Sequence, residues 1–209
     1  MEHLQLRIKN IRKETSASKS YFIEEITGKK IEYKAGQFFT LLVNLNGKEV
    51  RRSYSISSAP GVDQDIFFTI KRIENGELSR YLFDHLKAGD IIASLPASGR
   101  FTLDTPESSL IVFISAGSGI TPVFSLIKHI LYQFDETNVL LIYQNHDEKE
   151  SIFREDLLLL QQKFEQRFTL KEVFSHPFDH NKASQRLNNN LLEKILVENV
   201  KISSVSFYL

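Results

Sequence analysis

The 209-residue sequence contains no cysteine. This excludes disulfides, thiolate metal sites, iron–sulfur ligation and a cysteine nucleophile within these residues. Redox chemistry, if present, must therefore come from a bound cofactor. An excess charge is missing as well, because 26 Lys and Arg residues balance 26 Asp and Glu residues. A neutral chain has no general attraction for phosphate backbones or anionic membranes, so we expect no nucleic-acid and no membrane partner.

Long apolar runs are also absent. The N-terminal sequence lacks the roughly 7–15-residue apolar stretch of a signal peptide, and no run approaches the ~20 residues that span a bilayer. These features predict a cytoplasmic protein. The six histidines are scattered without metal-ligand spacing, so we expect no metal site.

The first half of the chain has the pattern of β structure. Short segments rich in β-branched and aromatic residues are separated by turn dipeptides such as Asn46-Gly47, which favours a type I′ hairpin turn. Strands are predicted at residues 4–13, 21–27, 37–43, 49–55, 65–72 and 90–94. Six short strands indicate a small barrel or sandwich. One helix is predicted at residues 79–86, with Ser79 as its N-cap.

The pattern changes after the segment DTPE at residues 104–107. Apolar strands now alternate with helical segments, which is typical of a parallel sheet with crossover helices. Strands are predicted at residues 110–115, 139–143, 168–174 and 205–209, and helices at residues 121–133, 153–164 and 190–197. We therefore expect two domains, covering residues 1–103 and 104–209.

A glycine-containing segment, AGSGITP at residues 116–122, lies between a predicted strand and a predicted helix. Glycines at such a point let backbone N–H groups approach a pyrophosphate, and the helix dipole favours its negative charge. The segment differs from the full dinucleotide fingerprint because Pro122 replaces the third glycine. Taken alone, it fits either a dinucleotide site or an ordinary strand-to-helix turn.

Three segments of the first half carry further candidate ligands. RRSYS at residues 51–55 offers a guanidinium for phosphate, an aromatic face and a hydroxyl, but it also fits a surface arginine beside a packed strand tyrosine. TIKR at residues 69–72 and GELS at residues 76–79 add a basic strand end and a helix N-terminus. Each also fits a purely structural role when taken alone.

These motifs occur in a definite order: RxYS, TIKR, GELS, PxxGxF at residues 96–101 and AGSGITP. In this order they resemble the ferredoxin-NADP reductase family over nearly the whole chain. Within the family the sequence is most similar to bacterial oxygenase reductases of the phenylacetate and ring-hydroxylating type, or to flavohaemoglobin reductase modules. The resemblance implies two domains, an antiparallel Greek-key β-barrel that binds flavin and an α/β parallel-sheet nucleotide-binding domain.

The resemblance also implies roles for single residues. Arg52 would contact the flavin pyrophosphate, Tyr54 would stack on the isoalloxazine and Ser55 would hydrogen-bond near flavin N5, so Tyr54 and Ser55 are the predicted catalytic residues. The other predicted contacts to FAD are Thr69, Ile70, Lys71, Leu78, Ser79 and, from the second domain, Ser118. The predicted contacts to NAD(P)H are Gly117, Gly119, Thr121 and Pro122.

Two departures from the family pattern bear on the substrate and the acceptor. Ser175-His176-Pro177 stands where NADP-using members have a Ser-Arg pair for the 2′-phosphate, and an imidazole cannot form a guanidinium fork. The choice between NADH and NADPH therefore stays open, with Ser175 and Arg186 as candidate contacts. The sequence also stops before the family's Cys-Gly-Pro segment. We expect a C-terminally truncated domain, with a [2Fe-2S] cluster only if a further C-terminal domain exists.

The function implied by the resemblance is an FAD-dependent NAD(P)H oxidoreductase. Such a protein takes a hydride from a nicotinamide and passes single electrons to an iron–sulfur acceptor, either in its own missing domain or in an oxygenase partner. Two alternatives remain open. One is a flavohaemoglobin-type or flavin reductase with another acceptor, and the other is a flavin-binding interaction or electron-transfer module without independent turnover.

Overall fold

The first half of the computed structural model is an antiparallel β-barrel; the structure describes residues 3–179, 183–200 and 204–208. Its elements are β1 (Leu4–Thr15), β2 (Ser18–Glu25), β3 (Phe38–Leu45), β4 (Lys48–Ser55), β5 (Ile66–Lys71), α1 (Glu77–His85) and β6 (Ile91–Ser94). The strand order is β4-β3-β6-β1-β2-β5. A bridge between Ile56, just after β4, and Phe68 of β5 joins the two edges of the sheet. The sheet therefore closes on itself, as a barrel requires.

The second half is a parallel sheet with helices on both faces. Its elements are β7 (Leu110–Ala116), α2 (Ile120–Gln133), β8 (Asn138–Asn145), α3 (Arg154–Lys163), β9 (Phe168–Phe174), α4 (Asn189–Asn199) and β10 (Val205–Tyr208). The strand order is β10-β7-β8-β9. Phe113 and Leu141 pack toward α2 and α3, whereas Val112 and Leu140 pack toward α4. Burial on both faces explains why these strands are continuously apolar, and the predicted fold class is confirmed.

Most predicted elements are present, but the predicted start of α1 is wrong. The helix begins at Glu77, and its N-cap is Gly76, three residues before the predicted cap at Ser79. The Ser79 hydroxyl instead lies inside the first turn, where it accepts from the Ile73 N–H and donates to the Gly76 carbonyl, both at 3.3 Å. A tight turn from Ile73 to Gly76 places the helix start earlier, because the Gly76 N–H donates to the Ile73 carbonyl.

The hairpin at Asn46-Gly47 is confirmed, since both residues have positive φ angles, of 53° and 80°. Strand β2 begins three residues before its predicted start, at Ser18. Ser18 and Ser20 are polar yet fully buried, so the apolar pattern did not mark them. Leu209, the predicted last strand residue, lies outside the described residues, and the domain boundary after residue 103 stays a prediction. No helix within the described residues is long and apolar enough to cross a membrane.

The barrel and the parallel-sheet half share one hydrophobic cluster. Ala35 and Phe67 of the barrel pack in the same cluster as Phe124 of α2 and Phe153 before α3. Gly36 lies beside this contact with a φ of +87°, and a Cβ added there would lie 1.9 Å from the backbone oxygen of Phe101. Only glycine fits at this position, because both the backbone angle and the space exclude a side chain.

We predict that Gly36→Ala lowers the free energy of unfolding by about 3 kcal/mol or more, since it adds a backbone clash to the strain of a positive φ. Gly28→Ala is the matched control, because Gly28 has a similar φ of +77° and no atom within 4 Å of the added Cβ. The control should lose only about 1–2 kcal/mol. Urea denaturation compares the two variants, and equal losses would contradict the clash at Gly36.

Candidate functional site

A cavity of about 650 Å³ lies where the barrel meets the parallel-sheet half. It is lined by the end of β4, the end of β5, the start of α1 and the glycine segment before α2. The predicted site residues that line it are Arg52, Tyr54, Ser55, Thr69, Lys71, Leu78, Ser79, Ser118, Gly119, Thr121 and Pro122. The fold therefore brings together motifs that lie far apart in the sequence.

Five further residues line the cavity and were not among the predicted site residues: Ser53, Ile73, Asn75, Gly76 and Glu77. Three of them belong to motifs already recognised, since Ser53 lies in RRSYS and Gly76 and Glu77 lie in GELS. Ile73 and Asn75 lie in the turn between β5 and α1, where no motif signals a site.

Side-chain alternation along β5 decides which of its residues reach the cavity. Thr69 and Lys71 line it, whereas Ile70 between them is 0% exposed and packs in the barrel core. The Ile70 side chain therefore points away from the cavity, so a contribution of Ile70 to cofactor binding has to come from its backbone. The Thr69 hydroxyl lies 2.8 Å from the Ser20 hydroxyl and 3.1 Å from the Ser57 hydroxyl, which fixes its position.

Tyr54 provides an aromatic wall. Its ring packs 6.3 Å from the Phe68 ring of the barrel core, measured between centroids. Burial raises the pKa of Tyr54 to about 12, so its phenol is protonated and remains a hydrogen-bond donor at neutral pH. The side of the ring away from the core is available to a planar group.

Two cations at the cavity have no carboxylate partner within the described residues. The Arg52 guanidinium donates to the Arg51 carbonyl at 2.7 Å, and Lys71 takes part in no ion pair in this part of the chain. The first turn of α1 borders the same cavity and has no side-chain cap. A helix N-terminus beside unpaired cations favours an anion, although Glu77 in that turn contributes one opposing charge.

The glycine segment forms a tight 3₁₀ turn, Gly117–Gly119, between β7 and α2. Gly117 has a φ of +51°, and a Cβ added to Gly119 would lie 3.3 Å from the Ser115 hydroxyl. The Thr121 hydroxyl closes the turn by donating to the Ser118 carbonyl at 3.0 Å. With glycine at two of its three positions, the turn has few side chains to block a close approach to its backbone, as a dinucleotide site requires.

Gly117, Ser175 and Arg186 do not line this cavity. The Ser175 N–H donates to the carbonyl of Asn145, at the end of β8, at 3.1 Å. The Leu187 N–H donates to the side chain of Gln144 at 2.7 Å. Ser175 and the segment around Arg186 therefore lie at the carboxyl ends of the parallel strands, the edge at which α/β folds bind nucleotides.

Helix α2 is fixed directly to the barrel. The buried Ser125 hydroxyl donates to the Ser58 carbonyl at 2.6 Å. One turn later, the Lys128 ammonium lies 2.5 Å from Asp63 and 4.1 Å from the centroid of the Phe124 ring. Lys128 is only 5% exposed, and this burial lowers its pKa, although Asp63 opposes the shift. These contacts set the position of α2, and hence of the glycine turn at its start, against the barrel.

We predict that Asp63→Asn lowers the free energy of unfolding by about 3 kcal/mol, because it removes the carboxylate in contact with the buried Lys128 ammonium. Asparagine keeps an acceptor for the Ala59 N–H, which now donates to Asp63, so the change isolates the charge. Asp65→Asn is the control, since Asp65 pairs with an exposed Lys9 and should cost at most ~1 kcal/mol. A loss at Asp63 no larger than at Asp65, measured by urea denaturation, would contradict this account of α2.

Comparison with known protein families agrees with this geometry. The oxidoreductase FAD-binding domain matches residues 5–103, and the oxidoreductase NAD-binding domain matches residues 113–208. The chain belongs to the ferredoxin-NADP reductase family, as its motifs imply. Its cofactors are accordingly FAD and NAD(P)H.

Curated relatives include components of oxygenase systems. The chain is 39% identical over 142 residues to the ferredoxin reductase component of 3-ketosteroid-9-alpha-monooxygenase from Rhodococcus rhodochrous. The aligned residues make up 68% of this chain and 40% of the relative. It is 35% identical over 147 residues to one of the subunits of 1,2-phenylacetyl-CoA epoxidase from Escherichia coli. These residues make up 68% of this chain and 40% of that subunit. The chain thus spans less than half the length of these relatives.

Solved structures share the fold. The CS-b5R domains of human Ncb5or superpose with a TM-score of 0.86 and 21% identity, over 99% of this chain and 61% of that one. A ferredoxin NADP+ reductase from Neisseria gonorrhoeae, solved with bound FAD and NADP, superposes with a TM-score of 0.81 and 24% identity, over 99% and 84%. At these identities the likeness supports the two-domain architecture alone.

Proposed function

We propose that this chain is an FAD-dependent NAD(P)H oxidoreductase that takes a hydride from a nicotinamide and passes single electrons to an iron–sulfur acceptor. The observation that carries the proposal is the single cavity lined jointly by the barrel and by the glycine turn of the parallel-sheet half. Hydride transfer needs the two cofactors to meet, and a shared cavity provides the place.

The residues around the cavity fit FAD. A volume of about 650 Å³ lies within the ~300–1,000 Å³ usual for cofactor sites. Tyr54 would hold the flavin ring, while Arg52, Lys71 and the first turn of α1 would hold the pyrophosphate. Two positive side chains against Glu77 leave a net positive wall for two phosphates. Gly76 leaves room for the Ser79 hydroxyl in the first turn, since a Cβ at Gly76 would lie 2.3 Å from it.

Bound flavin supplies the chemistry, because it accepts a hydride as two electrons and releases them one at a time. The chain's own residues would orient the flavin ring and stabilise its reduced form. The Ser55 hydroxyl would donate a hydrogen bond at the reacting edge of the ring, and Tyr54 would fix the plane of the ring. Ser118 would reach the flavin from the second half. Gly119, Thr121 and Pro122 would form the surface that binds NAD(P)H.

The iron–sulfur acceptor is proposed from the relatives, which include the ferredoxin reductase component of a monooxygenase. It would belong either to an oxygenase partner or to a further domain of a longer protein. A flavin reductase with another acceptor and a flavin-binding module without turnover remain the alternatives. The cytoplasmic location stays a prediction from the sequence.

The direct test adds FAD to the purified chain and then NADH or NADPH without oxygen. We expect a yellow protein whose flavin absorbance bleaches with at least one nucleotide. A chain that takes up no FAD would contradict the proposal and both alternatives. Flavin that is bound but reduced by neither nucleotide would favour the binding-module alternative. Reduction of an added ferredoxin then separates the iron–sulfur acceptor from a flavin reductase.

We predict that Ser55→Ala slows single-turnover flavin reduction about tenfold, which corresponds to the loss of ~1.4 kcal/mol of transition-state stabilisation. The dissociation constant for FAD should change much less. Ser53→Ala is the matched control, because Ser53 also lines the cavity but its hydroxyl lies 3.0 Å from that of Thr40. An unchanged reduction rate in Ser55→Ala, or an equal loss in Ser53→Ala, would remove Ser55 from its proposed role.

We predict that Arg186→Ala raises the KM for NADPH about tenfold and leaves the KM for NADH unchanged, because a guanidinium contributes mainly to binding the 2′-phosphate. NADH serves as the internal control. Steady-state kinetics with both nucleotides measures the effect. Equal changes for NADH and NADPH, or no change for either, would show that Arg186 does not contact the 2′-phosphate.

A further inference from the structure

One buried tyrosine beneath the glycine turn has no place in the proposed cofactor contacts. Tyr143, near the end of β8, is 0% exposed. Its hydroxyl lies 3.1 Å from the Gly117 carbonyl oxygen and 3.3 Å from the Ile152 carbonyl oxygen, and its one proton is shared between these two acceptors. The shorter distance is to Gly117, the first residue of the glycine turn, and the longer one is to the segment that leads into α3.

The Gly117 carbonyl has two partners among the described residues. The Ile120 N–H donates to it within the 3₁₀ turn, and the Tyr143 hydroxyl reaches it from β8. Gly117 has a positive φ, which turns its carbonyl from the direction it would take in an extended strand, and a hydrogen bond from a fixed, buried side chain helps to hold that conformation. Burial also raises the pKa of Tyr143 well above its ordinary value, so the phenol is protonated and remains a donor at neutral pH.

The other bonds of the turn come from the turn and the start of α2. The Ile120 N–H donates to the Gly117 and Ser118 carbonyls, and the Thr121 hydroxyl donates to the Ser118 carbonyl. No side chain within the described residues caps the start of α2. The backbone N–H groups that would face a pyrophosphate therefore depend for their direction on how the Gly117 end of the turn is fixed. Tyr143 holds that end from the inside of the fold, on the side away from the cavity.

We propose that Tyr143 is a positioning residue for the nicotinamide dinucleotide, which it never touches, and that it acts by holding the glycine turn in its binding conformation. This inference rests on the proposed function of the same turn. Without the phenol oxygen, the turn populates other conformations. The apparent association constant for the dinucleotide is then its intrinsic value multiplied by the fraction of molecules whose turn is in the binding conformation.

Tyr143→Phe removes only the hydroxyl, and Tyr21→Phe is its matched control. Tyr21 is also 0% exposed, and its hydroxyl also donates to a backbone carbonyl, that of Leu82 at 3.3 Å, but it lies in the barrel core. Both variants lose one buried phenol oxygen. A purely structural role for Tyr143 would make the two variants alike in every measurement of nucleotide binding.

The test uses the FAD-loaded chain and two readouts. Calorimetric titration with NAD+ and with NADP+ measures affinity, and hydrogen–deuterium exchange of the amides of residues 117–121 measures the order of the turn. In Tyr143→Phe we expect about fivefold weaker binding of the preferred nucleotide, faster exchange in the turn and an unchanged affinity for FAD. In Tyr21→Phe we expect wild-type nucleotide affinity and wild-type exchange in the turn.

Wild-type affinity together with wild-type exchange in Tyr143→Phe would overturn the proposal, and so would equal loss of nucleotide affinity in Tyr21→Phe. The exchange readout needs no turnover, so it judges Tyr143 even if the wild-type flavin is not reduced. Failure of the proposed function is recognised separately, by wild-type flavin that neither NADH nor NADPH bleaches. In kinetics, we expect the KM of Tyr143→Phe to rise while kcat stays near the wild-type value.

Discussion

A buried positive charge holds the two halves of this molecule together. The Lys128 ammonium is enclosed by aromatic rings and is paired with Asp63 of the barrel. An ammonium in such a place is tolerated only with its counter-charge in contact, so α2 has little freedom to move away from residues 58–63. Because the glycine turn forms the start of α2, the same pair fixes where backbone N–H groups meet the barrel wall.

Strand β5 connects this interface to both the core and the cavity. Phe68 and Ile70 fill the barrel, whereas Phe67 packs against the second half, and Thr69 and Lys71 face the cavity. The alternation of a β-strand thus lets one segment stabilise the barrel on one face and line the cavity on the other. A change in register at β5 would disturb stability, domain contact and binding at once.

The fold could be predicted from the sequence, because strand alternation, helix periodicity and glycine turns are local signals. Most of the cavity residues could be predicted only from the family resemblance, because each motif taken alone also fits a structural role. Contacts between distant residues could not. Lys128 and Asp63 lie 65 positions apart, and no pattern near Lys128 distinguishes a buried lysine from one on a solvated helix face. The sequence around Tyr143 likewise predicts only an apolar strand, and it does not predict the contact with Gly117. Ser79 was the predicted N-cap of α1, but the N-cap is Gly76.

In the proposed function, the barrel and the glycine turn build one site for flavin and nicotinamide. A crystal structure of the chain loaded with FAD shows whether both halves contact the flavin. We expect the isoalloxazine against Tyr54, the pyrophosphate at Arg52 and the first turn of α1, and a contact from Ser118 of the second half. Flavin bound by the barrel alone, or seated away from Tyr54, would contradict the account.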